Sequence, residues 1–236
     1  GIAGTFTPGS GTPTITGSTI DFNGTGAQTI PAFGYNNLTI SGNRGGLAVT
    51  LANSGTIGIT STFSPTATNL TYTITGSTVD FNGSSPQTVP AFTFNNQTVS
   101  NTTGLTLSGD VSVAGTLNVG SAIITTGSYK VALGNGNNIT RTTGYIDGNL
   151  QKNVSVTPPT MNFEIGRRGT YTPITNVIFA SVSVPGNIVA SDSSIEHPQI
   201  SGSTIDPTKS VNRFWTLTAG SPAPTFTTYE ATFNFL

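Results

Sequence analysis

One stretch of 27 residues occurs twice in this chain. Ile15 to Ser41 reads ITGSTIDFNGTGAQTIPAFGYNNLTIS and Ile74 to Ser100 reads ITGSTVDFNGSSPQTVPAFTFNNQTVS, with 18 of 27 positions identical at an offset of 59. Repetition on this scale constrains a fold more than composition does, because each copy must fold alike and bury its apolar face against its neighbours. Shorter echoes surround the copies. Gly4-Thr5-Phe6-Thr7-Pro8 matches Ser61-Thr62-Phe63-Ser64-Pro65, while Ala114-Gly115-Thr116-Leu117, followed by Thr126-Gly127-Ser128, is a third, worn copy. Units therefore run near 4–60 and 61–115, with a partial unit over 113–147. Gly1 falls inside a unit, so the polypeptide is expected to continue upstream or to be processed there.

Within a unit, Ile20-Phe22, Leu38-Ile40, Leu47-Val49-Leu51 and Ile57-Ile59 alternate apolar with polar residues, the period of a strand with one buried face. Asn23-Gly24, Pro31, Asn36-Asn37, Gly45-Gly46 and Ser54-Gly55 punctuate them. Starting from Ile20, successive stretches begin at Leu38, Ile57 and Val79, steps of 18, 19 and 22 residues. Coils of that length are what a parallel β-helix-like solenoid stacks. The fold class is all-β, with solenoid repeats over 1–147.

Only 17 of 236 side chains are charged, 8 basic and 9 acidic. Eight scattered Lys and Arg do not make the basic patch that nucleic acid requires, and no apolar run is long enough for a membrane span. The polar surface is supplied instead by 44 Thr, 24 Ser and 21 Asn. There is no Cys, so neither a disulfide framework nor a thiolate metal site is available.

Charge is unevenly placed: seven charged residues lie up to Asp147 and ten beyond it, together with the only Trp, Met and His. A second domain is expected over 148–236. Its seven or so short strands, around Val154–Val156, Met161–Ile165, Val177–Phe179, Val182–Val184, Ile188–Val189, Val211–Leu217 and Tyr229–Phe235, predict an immunoglobulin-like β-sandwich, with Trp215 as its main core aromatic.

The runs GSTVDFNGSSPQTVPAF, FNNQTVS, GLTLSGDVSVAGTLNVG and GYIDGNLQKNV, the segment from Phe163 to Pro173 and VNRFWTL together resemble the large repetitive surface proteins of Bacteroidota and related phyla that leave the cell by the type IX secretion route. The resemblance implies an extracellular, cell-surface location and an adhesive or structural role. It also implies a C-terminal sorting domain, which this sequence does not display.

Candidate chemistry is sparse. His197 is the only imidazole, in Ile195-Glu196-His197-Pro198, without a Gly-x-Ser-x-Gly elbow to accompany it. Asp21 and Asp80 occupy equivalent positions in Asp-Phe-Asn-Gly, where the carboxylate is expected to accept from the backbone of the turn made with Asn23-Gly24 and Asn82-Gly83. A Ca²⁺ ion is the sharper alternative there, with a similar weak claim for Asp192, Glu196 and Asp206. No catalytic residue, resident cofactor or metal ligand is assigned. Eight Asn-x-Ser/Thr sequons, at Asn23, Asn37, Asn69, Asn82, Asn96, Asn101, Asn138 and Asn153, are no more than this composition supplies by chance, and they leave the chain a glycoprotein candidate.

The last segment alternates cleanly, putting Tyr229, Ala231, Phe233 and Phe235 on one face. That strand either closes its own sandwich or, like the first rung at Ile2 and Phe6, meets a neighbouring copy, since solenoid ends and open sheet edges are templates for another chain. Head-to-tail contact of this kind builds filaments. The expected function is a non-enzymatic surface fibre or filament subunit. The alternative is a module binding glycans or a cell surface through exposed aromatics such as Tyr35 or Tyr145, and a polysaccharide-active β-helix enzyme is a distant third.

Overall fold

The computed structural model describes residues 1–11, 13–135 and 139–235. Seven coils follow one another. The first carries β1 (Thr19–Phe22) and β2 (Gln28–Ile30), the second β3 (Gly34–Ile40) and β4 (Ala48–Leu51), the third β5 (Ile57–Pro65) and β6 (Thr71–Thr73). The fourth and fifth have three strands each, β7 (Thr78–Phe81), β8 (Gln87–Val89) and β9 (Phe92–Phe94), then β10 (Asn96–Val99), β11 (Leu105–Leu107) and β12 (Val111–Val113). In the sixth, β13 (Leu117–Gly120) precedes the long β14 (Ile123–Asn135), and in the seventh β15 (Ile139–Arg141) precedes β16 (Tyr145–Val154).

Strands pair in parallel with their counterparts one coil on: β1, β3, β5, β7, β10, β13 and β15 form one face of a parallel β-solenoid, while on another β2, β4 and β6 form a separate sheet that ends at the third coil. Inward residues stack in columns: Phe22 over Ile40, Ile30 over Leu51, Phe81 over Val99, and Phe94 over Val113 over Leu133, all nearly or fully buried. One 59-residue sequence unit spans three rungs, since β7 (TVDF) repeats the sequence of β1 (TIDF). The step from Ile20 to Leu38 and that from Ile57 to Val79 are direct ladder pairs. Leu38, however, pairs with Phe63 instead of Ile57, because the ladder between β3 and β5 is already offset further than the step from Leu38 to Ile57, with Gly34 on Gly58 and Tyr35 on Ile59, before a register slip between Tyr35 and Asn37.

The echo before each unit has a structural meaning. Phe6 packs edge-on to Phe22 and Phe33, at 6.0 and 5.5 Å, as Phe63 packs against Phe81 and Phe92 at 6.3 and 5.1 Å. Ile2 bridges Phe22 as Ile59 pairs with Phe81. Residues 2–8 thus lie over the first coil as residues 59–65 lie over the fourth.

The change of composition at residue 147 falls inside a strand. β16 runs through it, pairing in parallel with β14, while its second half pairs antiparallel with β21 (Gly186–Ser193). Beyond it come β17 (Met161–Phe163), β18 (Ile165–Arg167), β19 (Thr170–Tyr171), β20 (Ile174–Ala180), β22 (Phe214–Ala219) and β23 (Thr228–Phe233). β18 still stacks in parallel on β16, extending the solenoid face, whereas β21–β22 and the separate sheet β17–β20–β23 are antiparallel. Met161, Phe163, Val177, Phe179, Ile188 and Ala190 from these strands belong to the same hydrophobic core as the coils. No helix among the described residues is long and apolar enough to cross a membrane.

Candidate functional site

The repeated turn is built around a glutamine. Gln28 Oε1 accepts from Gly24 N at 3.0 Å, while its Nε2 donates to the carbonyls of Ile2 and Gly4 at 2.8 and 2.9 Å. Gln87 repeats this with Gly83 N at 3.0 Å and the carbonyls of Ile59 and Ser61, both at 2.9 Å. Each glutamine is buried and staples its own Asn-Gly turn to the preceding rung. A third donor closes each site: the fully buried Arg44 guanidinium bonds Gln28 Oε1 and the carbonyls of Gly24 and Phe22, and Asn101 Nδ2 bonds Gln87 Oε1 at 2.9 Å. A Cβ on Gly24 would lie 2.2 Å from Ala3 O, and one on Gly83 2.4 Å from Thr60 O, so glycine is required by close backbone approach.

The expectation for Asp21 and Asp80 is corrected. Phe22 and Phe81 point inward, so the preceding aspartates point out and cannot reach the turn amides that Gln28 and Gln87 occupy. Asp21 accepts from Ser41 Oγ at 2.8 and 2.9 Å, and Asp80 from Ser100 N and Oγ at 3.1 and 2.9 Å. Asp110 to Lys130 and Asp147 to Arg167 repeat the same reach one coil along. The adjoining Asn23 and Asn82 donate their backbone N–H to Ile2 O and Ile59 O, both at 3.1 Å.

Sequence reasoning passed over Gln28, Gln87 and Arg44. The signal for the glutamines was present: within the varied stretch TGAQT against SSPQT, only the Gln and the Thr after it persist.

The C-terminal cap presents a different surface. Among the described residues β22 pairs only with β21 and β23 only with β20, so each is the edge strand of a different sheet. Trp215 on β22 packs against Phe233 and Phe235, with ring centroids 5.5 and 6.4 Å away, and donates its indole N–H to Thr172 O at 3.0 Å. The indole is half-buried at the margin of the core instead of at its centre. Tyr229, Phe233 and Phe235 are 47%, 39% and 57% exposed, Ala231 is half-buried, and Glu230 is the one charge on either strand. At the other end, Ile2 and Phe6 are half-buried, and Phe6, Pro8, Pro13 and Phe33 line an apolar cleft of about 350 Å³.

Buried charge gathers beneath the cap. Asp192 is bonded by Thr172 Oγ1 at 2.6 Å and by Arg213, and Lys152 by Glu164 at 2.8 Å. Burial pulls the Lys152 amine below its usual value, an effect the Glu164 carboxylate opposes. Burial likewise pushes up the phenols of Tyr35, Tyr72, Tyr145 and Tyr171. Tyr35 and Tyr145 are 1% and 3% exposed, which removes them as glycan-stacking aromatics.

His197 is exposed; its Nδ1 accepts from Gln199 N at 3.2 Å and its ring packs on Phe214, and among the described residues no serine hydroxyl bonds it. Asp192, Glu196 and Asp206 are held apart by different partners, Thr172 and Arg213, Ser210, and Thr208 respectively. The Thr208 bonds hold the Asp206 carboxyl below its usual value. Among the described residues, no three His, Cys, Asp or Glu side chains converge to hold a metal ion. Of the sequons, Asn101 is fully buried and Asn138 lies outside the described residues. Compared with protein families, curated proteins and solved structures, the chain matches none of them.

Proposed function

We propose that this chain is an extracellular structural or adhesive protein, a surface fibre or self-assembling filament subunit without catalytic activity. The observation that carries the reading is two open sheet edges, β22 on one sheet and β23 on another, with Tyr229, Phe233 and Phe235 exposed on and just beyond β23. Edges of this kind are normally blunted by charge, proline or a covering element, and one charge on two strands is little protection. A second copy adding a strand there would bury the aromatics and complete the ladder. The solenoid supports the same reading, since its polar residues are spent on holding rungs together: Gln28, Gln87, Asp21 and Asp80 all bond from one rung to another.

In this reading the antiparallel strands β21–β22 and the sheet β17–β20–β23 make an immunoglobulin-like sandwich fused to the last coil, and the whole is exported to the cell surface. Electron microscopy of concentrated protein tests the reading. Ordered polymers with a fixed axial rise are expected, and a monodisperse monomer at high concentration overturns filament formation. The glycan-binding alternative draws no support from Tyr35 or Tyr145, which are buried.

A further inference from the structure

Lys152 sits on β16 between Leu150 and Val154, both inward-facing, and is itself fully buried. Its Nζ lies 2.8 Å from Glu164 Oε2. Glu164 forms the single-residue link between β17 and β18 and is 8% exposed. The Phe163 ring stands 5.9 Å from Nζ. An apolar pair of similar volume would fill the space without the desolvation that two buried charges incur. An amine and a carboxyl held in contact, away from water, are also the two reactants of amide formation.

We propose that Lys152 and Glu164 condense to an intramolecular amide that ties the seventh coil to the C-terminal cap. The proton shared across the 2.8 Å contact moves from Nζ to Oε2, giving the neutral amine and the carboxylic acid that a low-dielectric enclosure favours. The Nζ lone pair attacks Cδ, and the Nζ–Cδ bond forms. The bond from Cδ to the protonated oxygen breaks, and the hydroxyl leaves with one proton from nitrogen as water. Nothing is oxidised or reduced, and no co-reactant is needed. Holding the two groups in contact substitutes for concentration, with effective molarities of about 10⁵ M or more in well-oriented pairs. Burial of Lys152 acts in the same direction, since it lowers the amine's proton affinity and so raises the share of nucleophile.

The test is the intact mass of the purified full chain, measured after denaturation. The chain is expected to be lighter than its sequence by one water, about 18 Da. Trypsin cuts after Arg141 and Arg167 but not after an acylated lysine, so residues 142–167 are expected as one peptide lacking a water, with no backbone fragments resolved between Lys152 and Glu164. Lys152→Met is expected to restore the sequence mass. The full sequence mass in the wild type, with separate peptides 142–152 and 153–167, overturns the proposal. So does a loss of about 17 Da, which is ammonia and assigns the acyl group to an amide side chain. A water loss that persists in Lys152→Met places the chemistry elsewhere and overturns it too. The wild-type mass alone decides the matter if the variant fails to fold, and neither result depends on whether the chain forms filaments.

Discussion

Gln97 interrupts an apolar column. It pairs with Val79 on one side and Leu117 on the other, both essentially buried, and is itself 1% exposed. Among the described residues, neither its Oε1 nor its Nε2 has a hydrogen-bond partner. One sequence unit earlier the same position is Leu38, 2% exposed. A buried amide without partners costs about 1–3 kcal/mol in proteins, and leucine has nearly the same volume, so replacement adds little overpacking. Gln97→Leu is therefore expected to stabilise the fold by about 2 kcal/mol. The reciprocal Leu38→Gln loses a buried aliphatic chain and gains the orphaned amide, and is expected to cost about 3 kcal/mol. Guanidinium unfolding followed by far-ultraviolet circular dichroism reads both as shifts of midpoint at constant slope. An unchanged or lower midpoint for Gln97→Leu refutes the reasoning, because it means the amide is satisfied where it sits.

Other expectations follow from the staples, the glycines and the tyrosines. Gln87→Ala removes four hydrogen bonds, to Gly83 N, Asn101 Nδ2 and the carbonyls of Ile59 and Ser61, although Asn101 Nδ2 keeps Ser85 O and Ile59 O keeps Asn82 N, and is expected to cost about 4 kcal/mol at roughly 1 kcal/mol per bond. Gln28→Ala is expected instead to release residues 2–8 with little effect on later coils, seen by hydrogen exchange, since solenoid stability is transmitted between neighbours. Gly83→Ala, with its new methyl 2.4 Å from Thr60 O, is expected to cost about 2–3 kcal/mol in the same unfolding assay, and a neutral result contradicts the close approach. Tyr35, Tyr72, Tyr145 and Tyr171 have folded-state values raised above the usual 10.0, so the stability they contribute is fully present below about pH 10 and is lost as pH rises further. In an alkaline titration their phenolate absorbance is expected to appear together with loss of circular dichroism, and titration near pH 10 in an intact fold contradicts their burial.

The coil was legible because repetition and alternation report on inward-facing residues: Ile20 over Leu38 and Ile57 over Val79 are ladder partners as the spacing requires. The pairing of Leu38 with Phe63 was not, because a coil can lengthen while its strands keep the same alternation, and here Gly34 already lies on Gly58. Asp21 and Asp80 were placed in the right repeat position but given the wrong partner. Local turn chemistry suggested the neighbouring amides, whereas a solenoid brings residues 20 apart into contact and Ser41 and Ser100 arrive there. Charge density suggested a boundary at 147, yet hydrogen bonding across a sheet ignores composition, and β16 passes through it. The pairing of Lys152 with Glu164 had no sequence signal, since neither belongs to a repeat.

Sedimentation velocity across a wide concentration range tests the assembly reading most directly, comparing the wild-type chain with a variant carrying Tyr229→Lys and Phe233→Lys on the open edge. Both side chains are already substantially exposed, so the variant is expected to stay folded. The wild type is expected to shift to larger species as concentration rises, and the variant to remain a monomer. A wild type that stays monomeric throughout, or a variant that associates equally well, contradicts assembly through β22 and β23.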